Sequence, residues 1–455
     1  MKKCKELTCI ILLVFLGISS CTMTDQEALY EPTKESIIQH PTPEWFKDVR
    51  IGVFIHFVPR GDDPVIPDKF SADQWIDLFE KAGAEYFVFT TKHNNGWCNW
   101  PSTVSEHGAQ EKNGPRDLVT PLVETARKAG MKVGLYYNLM DRYEGVTTEM
   151  AGNPDLEPSE EYALDYLHPH IKELVSTYQP DLLWTDGDWI STSDRWHSNE
   201  IVAWLYNWAE KENREICLTD RWGKDIRITE DGAVPEKYGD YWTLEIRIMK
   251  DIVTTHSWES SLTPFSGWTY RENYSFRASM AELITTMCDI CSKGGKLLLN
   301  IGPKPDGSIS EDDREMLLDL GRWLEVNGEA IYGTSPADAA RDLSSENLLE
   351  RAQSLLVPDT WFIGHDESWE LFSKTIQDQG PVRFTTRDPY TYAILLGWPG
   401  EVLEMDMLPV KPGTKIRMLG VEEPLLWKEE GDKLIVNLPM EQPCEHAFVL
   451  KMELE

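Results

Sequence analysis

The chain has 455 residues, enough for two domains with sizeable cores. Its 77 acidic against 44 basic residues give a formal net charge of −33, which repels nucleic acid and anionic lipid and argues against both as partners. Eighteen Trp and sixteen Tyr provide flat apolar faces, which fill cores and also stack on sugar rings.

The N-terminus opens with Lys2, Lys3 and Lys5, followed by the apolar run CIILLVFLGI, which is too short to span a bilayer comfortably. That run ends in ISSC, with small residues leading into Cys21, a pattern that resembles a bacterial lipoprotein signal. Residues 1–20 therefore read as a signal peptide, with Cys21 as the lipidated first residue of the mature chain. Residues 21–40 are polar and aperiodic and read as a tether. The expectation is an exported bacterial lipoprotein, in the periplasm or on the outer cell surface, touching a membrane only through the lipid at Cys21. No later segment is long and apolar enough to cross a bilayer.

From residue 41 the pattern becomes regular. Strand candidates begin at Val49 (VRIGVFIHF), Tyr86 (YFVFTTK), Lys132 (KVGLYYN) and Asp181 (DLLWTDG), then Glu215 (EICLTDRW), Gly239 (GDYWTLE), His256 (HSWESS) and Lys296 (KLLLNIGP). Amphipathic helical stretches lie between them, such as SADQWIDLFEKAGA, where Ser71 can cap the first turn and Asp73 favours the positive end of the dipole. Near-continuous apolar strands alternating with helices predict a parallel sheet. Eight units over residues 41–334 predict an α/β fold, a (β/α)8-like barrel whose fifth and sixth units look irregular. Residues 335–455 change to short alternating strands, among them PVRFTTR, YAILLGW and DKLIVNL. They read as a C-terminal antiparallel β-sandwich, joined through a loose segment near Ser335–Ser345.

Outside the signal, Cys98, Cys217, Cys288, Cys291 and Cys444 are an odd set not spaced as a disulfide framework. Cys288 and Cys291 form a CxxC, but within the helical pattern SMAELITTMCDICSKGG and without a second pair or a His partner. Packed helix residues are expected there rather than a redox or zinc site.

The strand ends carry the functional signal, because barrel sites gather at the C-terminal ends of the strands. They read His56, His93 with Asn94, Tyr137, Asp186 with Asp188, Arg221, Glu245, Glu259 and Asn300. One polar strand end is usually a cap; eight converging on one mouth point to a site. There is no Gly-rich phosphate loop, no HExxH and no GxSxG. His56, His93 and Asp186 lack the HxH-type spacing of a metal centre, so neither metal nor cofactor is expected. Carboxylates on separate strand ends among Trp and Tyr suit glycoside hydrolysis.

The motifs GVFIHF, TTKHNNGWCNWPS, RKAGMKVGLYYN, YQPDLLWTDGDW, TDRWG, SWESS and SKGGKLLLNIGPKPDGSI occur in the order found in retaining α-L-fucosidases, glycoside hydrolase family 29, which this chain resembles from about Trp45 to Thr334. The likeness continues more weakly through VRFTTRDPYTYAILLGWPG and QPCEHAFVLK. It implies Asp186 as nucleophile, Trp184 lining the sugar pocket, and His56, His93 and Arg221 binding hydroxyls. It further implies Tyr137 at the pocket wall and Trp268 closing it. Glu245 fits the acid/base position best, with Glu259 the alternative. The implied activity is removal of terminal α-L-fucose from fucosylated oligosaccharides or glycoconjugates by retaining double displacement. Asp186 must then stay ionised, helped by Arg221 or His56, while the charge of Asp186 raises the pKa of Glu245.

Two departures bear on the substrate. KHNNGW puts Asn94 where the family often has a sugar-binding His, and Asn still donates and accepts hydrogen bonds. The loop VPRGDDPVIPDKFSADQW lacks the family's Glu-Trp pair, with Asp62 or Asp63 as stand-ins for the carboxylate. The alternatives are another L-sugar such as α-L-galactose, or a non-catalytic carbohydrate-binding lipoprotein on the same fold.

Overall fold

The computed structural model describes residues 28–59, 67–108, 117–153, 156–227, 237–252, 256–337, 365–406, 410–411 and 413–453. The signal peptide, Cys21, Asp62 and Asp63 lie outside the described residues.

Eight parallel strands form the first domain: β1 (Ile51–Ile55), β2 (Tyr86–Lys92), β3 (Lys132–Asn138), β4 (Leu182–Asp186), β5 (Cys217–Leu218), β6 (Trp242–Glu245), β7 (Trp258–Leu262) and β8 (Lys296–Ile301). Their order is β5-β4-β3-β2-β1-β8-β7-β6. Among the described residues the seam between β5 and β6 closes through a single bridge, Thr219 to Tyr241. It is irregular because carboxylates there replace backbone acceptors. Asp240 accepts the Leu218 amide at 2.7 Å, and Asp220 accepts the Thr243 amide at 3.0 Å. This is the irregularity read from the fifth and sixth units.

Around the sheet stand α1 (Ala72–Lys81), α2 (Val119–Ala129), α3 (His168–Tyr178), α4 (Ser198–Lys211), α5 (Met280–Ser292) and α6 (Glu311–Asn327). Ser71 caps α1 by accepting the Gln74 amide, a contact of the kind that contributes about 1 kcal/mol. Cys288 and Cys291 are free thiols buried in α5. Among the described residues no helix is long and apolar enough to cross a membrane.

Strand alternation divides the core in two. Phe54, Tyr86, Val88, Tyr136, Leu182, Trp184 and Leu298 cluster inside the barrel. Their neighbours Val53, Phe87, Leu135, Tyr137, Leu183 and Leu299 join the outer core under the helices. A short helix, Glu44–Asp48, sets Phe46 against Tyr241 at the base, with ring centroids 4.3 Å apart.

The tether expectation is corrected over its described part. Tyr30 is buried, and its backbone N–H and C=O pair with the Asn207 amide on α4 at 2.9 and 2.7 Å. The His40 ring stacks on Tyr206 at 3.7 Å and bonds Asp240 at 2.7 Å. Polar sequence hid a packed strap whose few apolar contacts carry no periodicity.

The second domain pairs a five-stranded with a three-stranded antiparallel sheet, and Leu395, Leu403, Leu434, Val436 and Leu450 fill the layer between them. Its first strand, Ser335–Pro336, pairs with Val382–Arg387. A helix the strand pattern did not suggest, α7 (His365–Asp378), lies between these two strands in the chain. It docks through Trp369, whose indole N–H donates to the Thr263 carbonyl at 3.0 Å.

Candidate active site

Asp186 ends β4, where Gly187 follows at φ 74°, a conformation an L side chain resists; a Cβ there would lie 2.2 Å from Asn138 Oδ1. The turn aims the carboxylate into the barrel mouth. Asp186 Oδ2 accepts from the Tyr136 hydroxyl at 2.6 Å and Asn138 Nδ2 at 3.1 Å, and Oδ1 accepts from Arg221 Nη1 at 3.0 Å. Burial raises its pKa, but Arg221, the Tyr136 hydrogen bond and His93 outweigh burial and hold it below the ordinary aspartate value. The group is built to stay ionised.

Arg221, in the loop after β5, is the centre of the site. Its second amino group donates to Glu245 Oε2 at 2.7 Å, so one guanidinium holds carboxylates from β4 and β6. Nε donates to Thr243 Oγ1 at 2.8 Å, and Thr243 donates in turn to Asp220. The guanidinium lies 4.7 Å over the Trp184 ring. Side chains of Asp186 and Glu245 keep 20% and 14% exposure against 2% for Arg221, so both carboxyl groups face the opening with the cation behind them. Glu245 is shifted the other way. Burial raises its pKa, and the charge of Asp186 adds to that against the opposing pull of Arg221. The environments thus separate one base from one acid.

His56 bonds Asn300 at 2.7 Å and stands 5.0 Å from the Trp268 ring, and the Trp268 carbonyl accepts from the Asn300 amide at 2.8 Å. Burial pushes the His56 pKa down to about 3, so this imidazole is neutral near pH 7 and does not serve as the cation beside Asp186. His93 stacks on Tyr136 at 5.5 Å, and Asn94 hydrogen-bonds it. Asp186, Glu245, Arg221, Trp184, His56, His93, Asn94 and Trp268 are therefore gathered at one mouth.

Two expected positions are corrected. Tyr137 points outward, where its hydroxyl bonds His170 of α3 at 3.0 Å. Its neighbour Tyr136 is the inward tyrosine, and strand alternation together with the inward Trp184 and Asp186 of β4 signals this. Glu259 is the second residue of β7 rather than its end, and it is fully buried below the mouth. It accepts from Trp184 Nε1 at 2.9 Å and from the Tyr86 hydroxyl at 2.6 Å. Burial lifts its pKa to about 7. It braces Trp184, on which Arg221 and Tyr136 both rest. Sequence reading also passed over Asn138, Thr243 and Arg227, which pairs at 3.2 Å with the buried Asp188 that the strand-end reading did include.

A (β/α)8 barrel that displays two carboxyl groups among Arg, His, Tyr and Trp at its C-terminal face has the architecture of a barrel glycoside hydrolase. The profile of the family described as alpha-L-fucosidase matches residues 17–60 and 63–329, and that of the alpha-L-fucosidase C-terminal domain matches 376–453. The tissue alpha-L-fucosidase of Homo sapiens is 30% identical over 97% of this chain and 96% of its own length. The alpha-L-fucosidase of Branchiostoma floridae is 28% identical over 97% and 99%. The crystal structure of Thermotoga maritima alpha-fucosidase is 27% identical with a TM-score of 0.70, covering 93% of this chain and all of that one. The chain belongs to the α-L-fucosidase family.

Proposed function

We propose that this chain is a retaining exo-α-L-fucosidase that removes terminal fucose from glycans. The observation that carries the reading is the shared guanidinium: Arg221 holds an ionised Asp186 and a more basic Glu245 side by side. Two carboxyl groups on one Arg fit the separation of about 5–5.5 Å used by retaining enzymes rather than the wider gap of inverting ones. Asp186 attacks the anomeric carbon as the bond to the leaving oxygen breaks, and Glu245 gives that oxygen its proton. In the second half Glu245 takes a proton from water, which attacks the same carbon and frees Asp186. Two displacements return the starting configuration.

The choice of sugar is supported by relatives: the Thermotoga maritima enzyme has been crystallised with fucose and with a mechanism-based inhibitor, each at 26% identity. Proton NMR during hydrolysis of an aryl α-L-fucoside is expected to show α-L-fucose first, with the β anomer growing in by mutarotation. A first-formed β anomer refutes the mechanism. Turnover confined to an α-L-galactoside moves the substrate.

The same reading makes the protein an exported lipoprotein, in the periplasm or on the outer surface, held at Cys21. Lys2, Lys3, Lys5, the apolar run and ISSC support it. Labelled palmitate fed to an expressing bacterium is expected to enter the parent chain and not Cys21→Ser. Equal labelling of the two, or none in either, rejects the anchor.

A further inference from the structure

The pocket is closed below by Trp184 and Glu259 and on the β8 side by Trp268, so the sugar that carries the fucose must leave past the rim. At that rim three rings stand together outside the catalytic set. His107 lies flat on Tyr143, with centroids 4.2 Å apart and planes 3° from parallel. Trp97 meets His107 edge-on at 5.4 Å. Tyr143 is 55% exposed although one of its faces is covered, so the other face is open to solvent.

This platform is held rigidly. Tyr143 sits in the turn after β3, whose amides at Tyr143 and Glu144 donate to Asp141 Oδ1 at 3.0 and 3.3 Å. Asp141 is fully buried, and its other oxygen takes Lys92 Nζ at 3.1 Å and the Tyr166 hydroxyl at 2.9 Å. The turn from β3 packs on the loop from β2 at Gly96, where a Cβ would lie 2.2 Å from Asp141 Oδ1 and 2.9 Å from Tyr143 Cβ. The platform is also continuous with the catalytic pocket. The Arg142 amide donates to the Asn94 carbonyl at 2.9 Å, and Asn94 adjoins His93, which stacks on the Tyr136 that bonds Asp186.

From this arrangement, which rests on the fucosidase reading, we infer that Trp97, His107 and Tyr143 form a subsite that stacks the pyranose ring to which fucose is attached. An open aromatic face offers C–H contact to a flat sugar ring at little entropic cost, since a braced Tyr loses no further freedom. Exposed Arg142 and Glu144 beside it supply a donor and an acceptor for hydroxyls. A neutral glycan also suits a surface whose overall charge is −33 and which repels acidic partners.

The test compares substrates with and without a sugar leaving group. α-L-Fucosyl fluoride, whose leaving group is one atom, is set against the best turned-over of 2′-fucosyllactose, 3-fucosyllactose and fucosyl-α1,6-N-acetylglucosamine. Tyr143→Ala and Trp97→Ala are expected to raise KM for the oligosaccharide by about tenfold, the scale of a lost ring contact, and to leave fluoride turnover within about twofold. Tyr143→Phe, which keeps the ring, is expected to behave as the parent. Equal losses on both substrates, or an unchanged oligosaccharide KM, overturn the subsite. Saturation-transfer NMR with unfucosylated lactose judges the platform apart from catalysis. A signal in the parent that Tyr143→Ala loses upholds it, and equal signals overturn it. A parent chain that binds lactose through Tyr143 yet leaves fucosyl fluoride intact refutes the fucosidase reading alone.

Discussion

Asp186→Ala is expected to lower kcat by about 10⁴-fold or more, the scale of removing a covalent nucleophile, with the fold intact. The barrel tolerates the change because Asp186 sits at a strand end facing the opening, and Arg221 keeps Glu245 as a partner. The alanine also vacates room beside the anomeric carbon, so azide should restore turnover and yield a fucosyl azide of inverted configuration. The pH dependence of the parent carries the same signature. Asp186 is held below its ordinary value of 3.8, so the acidic limb of kcat/KM should fall below that value, where protonation of Asp186 silences the nucleophile. A variant within about tenfold of the parent, or one that azide leaves unmoved, would remove Asp186 from the role.

Glu245→Ala is the second large effect, and its size should depend on the leaving group. A glycan alcohol needs a proton to depart, so its release should slow by about 10²–10⁴-fold. An activated phenolate leaves unaided, so aryl fucosides should lose far less in the first step. The raised pKa of Glu245 places the basic limb above the ordinary glutamate value of 4.5, because deprotonation there removes the acid; the limb should flatten in Glu245→Ala alone. Glu259→Ala should show neither effect. Its carboxyl is buried beneath the mouth and touches Trp184 and Tyr86, so its loss should loosen the Trp184 face and depress all substrates alike. Leaving-group dependence in Glu259→Ala and not in Glu245→Ala exchanges the roles. Its absence from both moves the acid to another carboxylate. The sequence between β5 and β6 contains Glu230, Asp231 and Glu236, which lie outside the described residues.

Much of the molecule was legible along the chain because the signals are local. Seven of the eight barrel strands lie within the runs read from the sequence and β7 extends one residue past its run, to Leu262, while Ser71 caps α1 as its position in the pattern required. Asp186 could be found because WTDGDW joins a strand, a carboxylate at its end and a turn glycine within six residues. Local pattern also showed where the strand rhythm fails, at the fifth and sixth units, though not that Asp220 and Asp240 close the seam there.

Other features were decided only by the closed barrel. YY in β3 offers two adjacent tyrosines, and both are apolar-compatible in a strand buried on both faces. Which one faces the barrel mouth depends on the stagger between β3 and β4, which sets Tyr136 opposite Trp184 and Asn138 opposite Asp186. A strand's true start has the same ambiguity. Glu259 read as an end, but β7 begins at Trp258, which buries the carboxyl as a brace. Sequence named Arg221 and Glu245 separately; only the sheet's closure brings β4, β5 and β6 close enough for one guanidinium to hold both carboxylates. Charge states follow the same logic. His56 is neutral because burial outweighs nearby Asp186, and burial is a property of the packed barrel that no stretch of sequence contains.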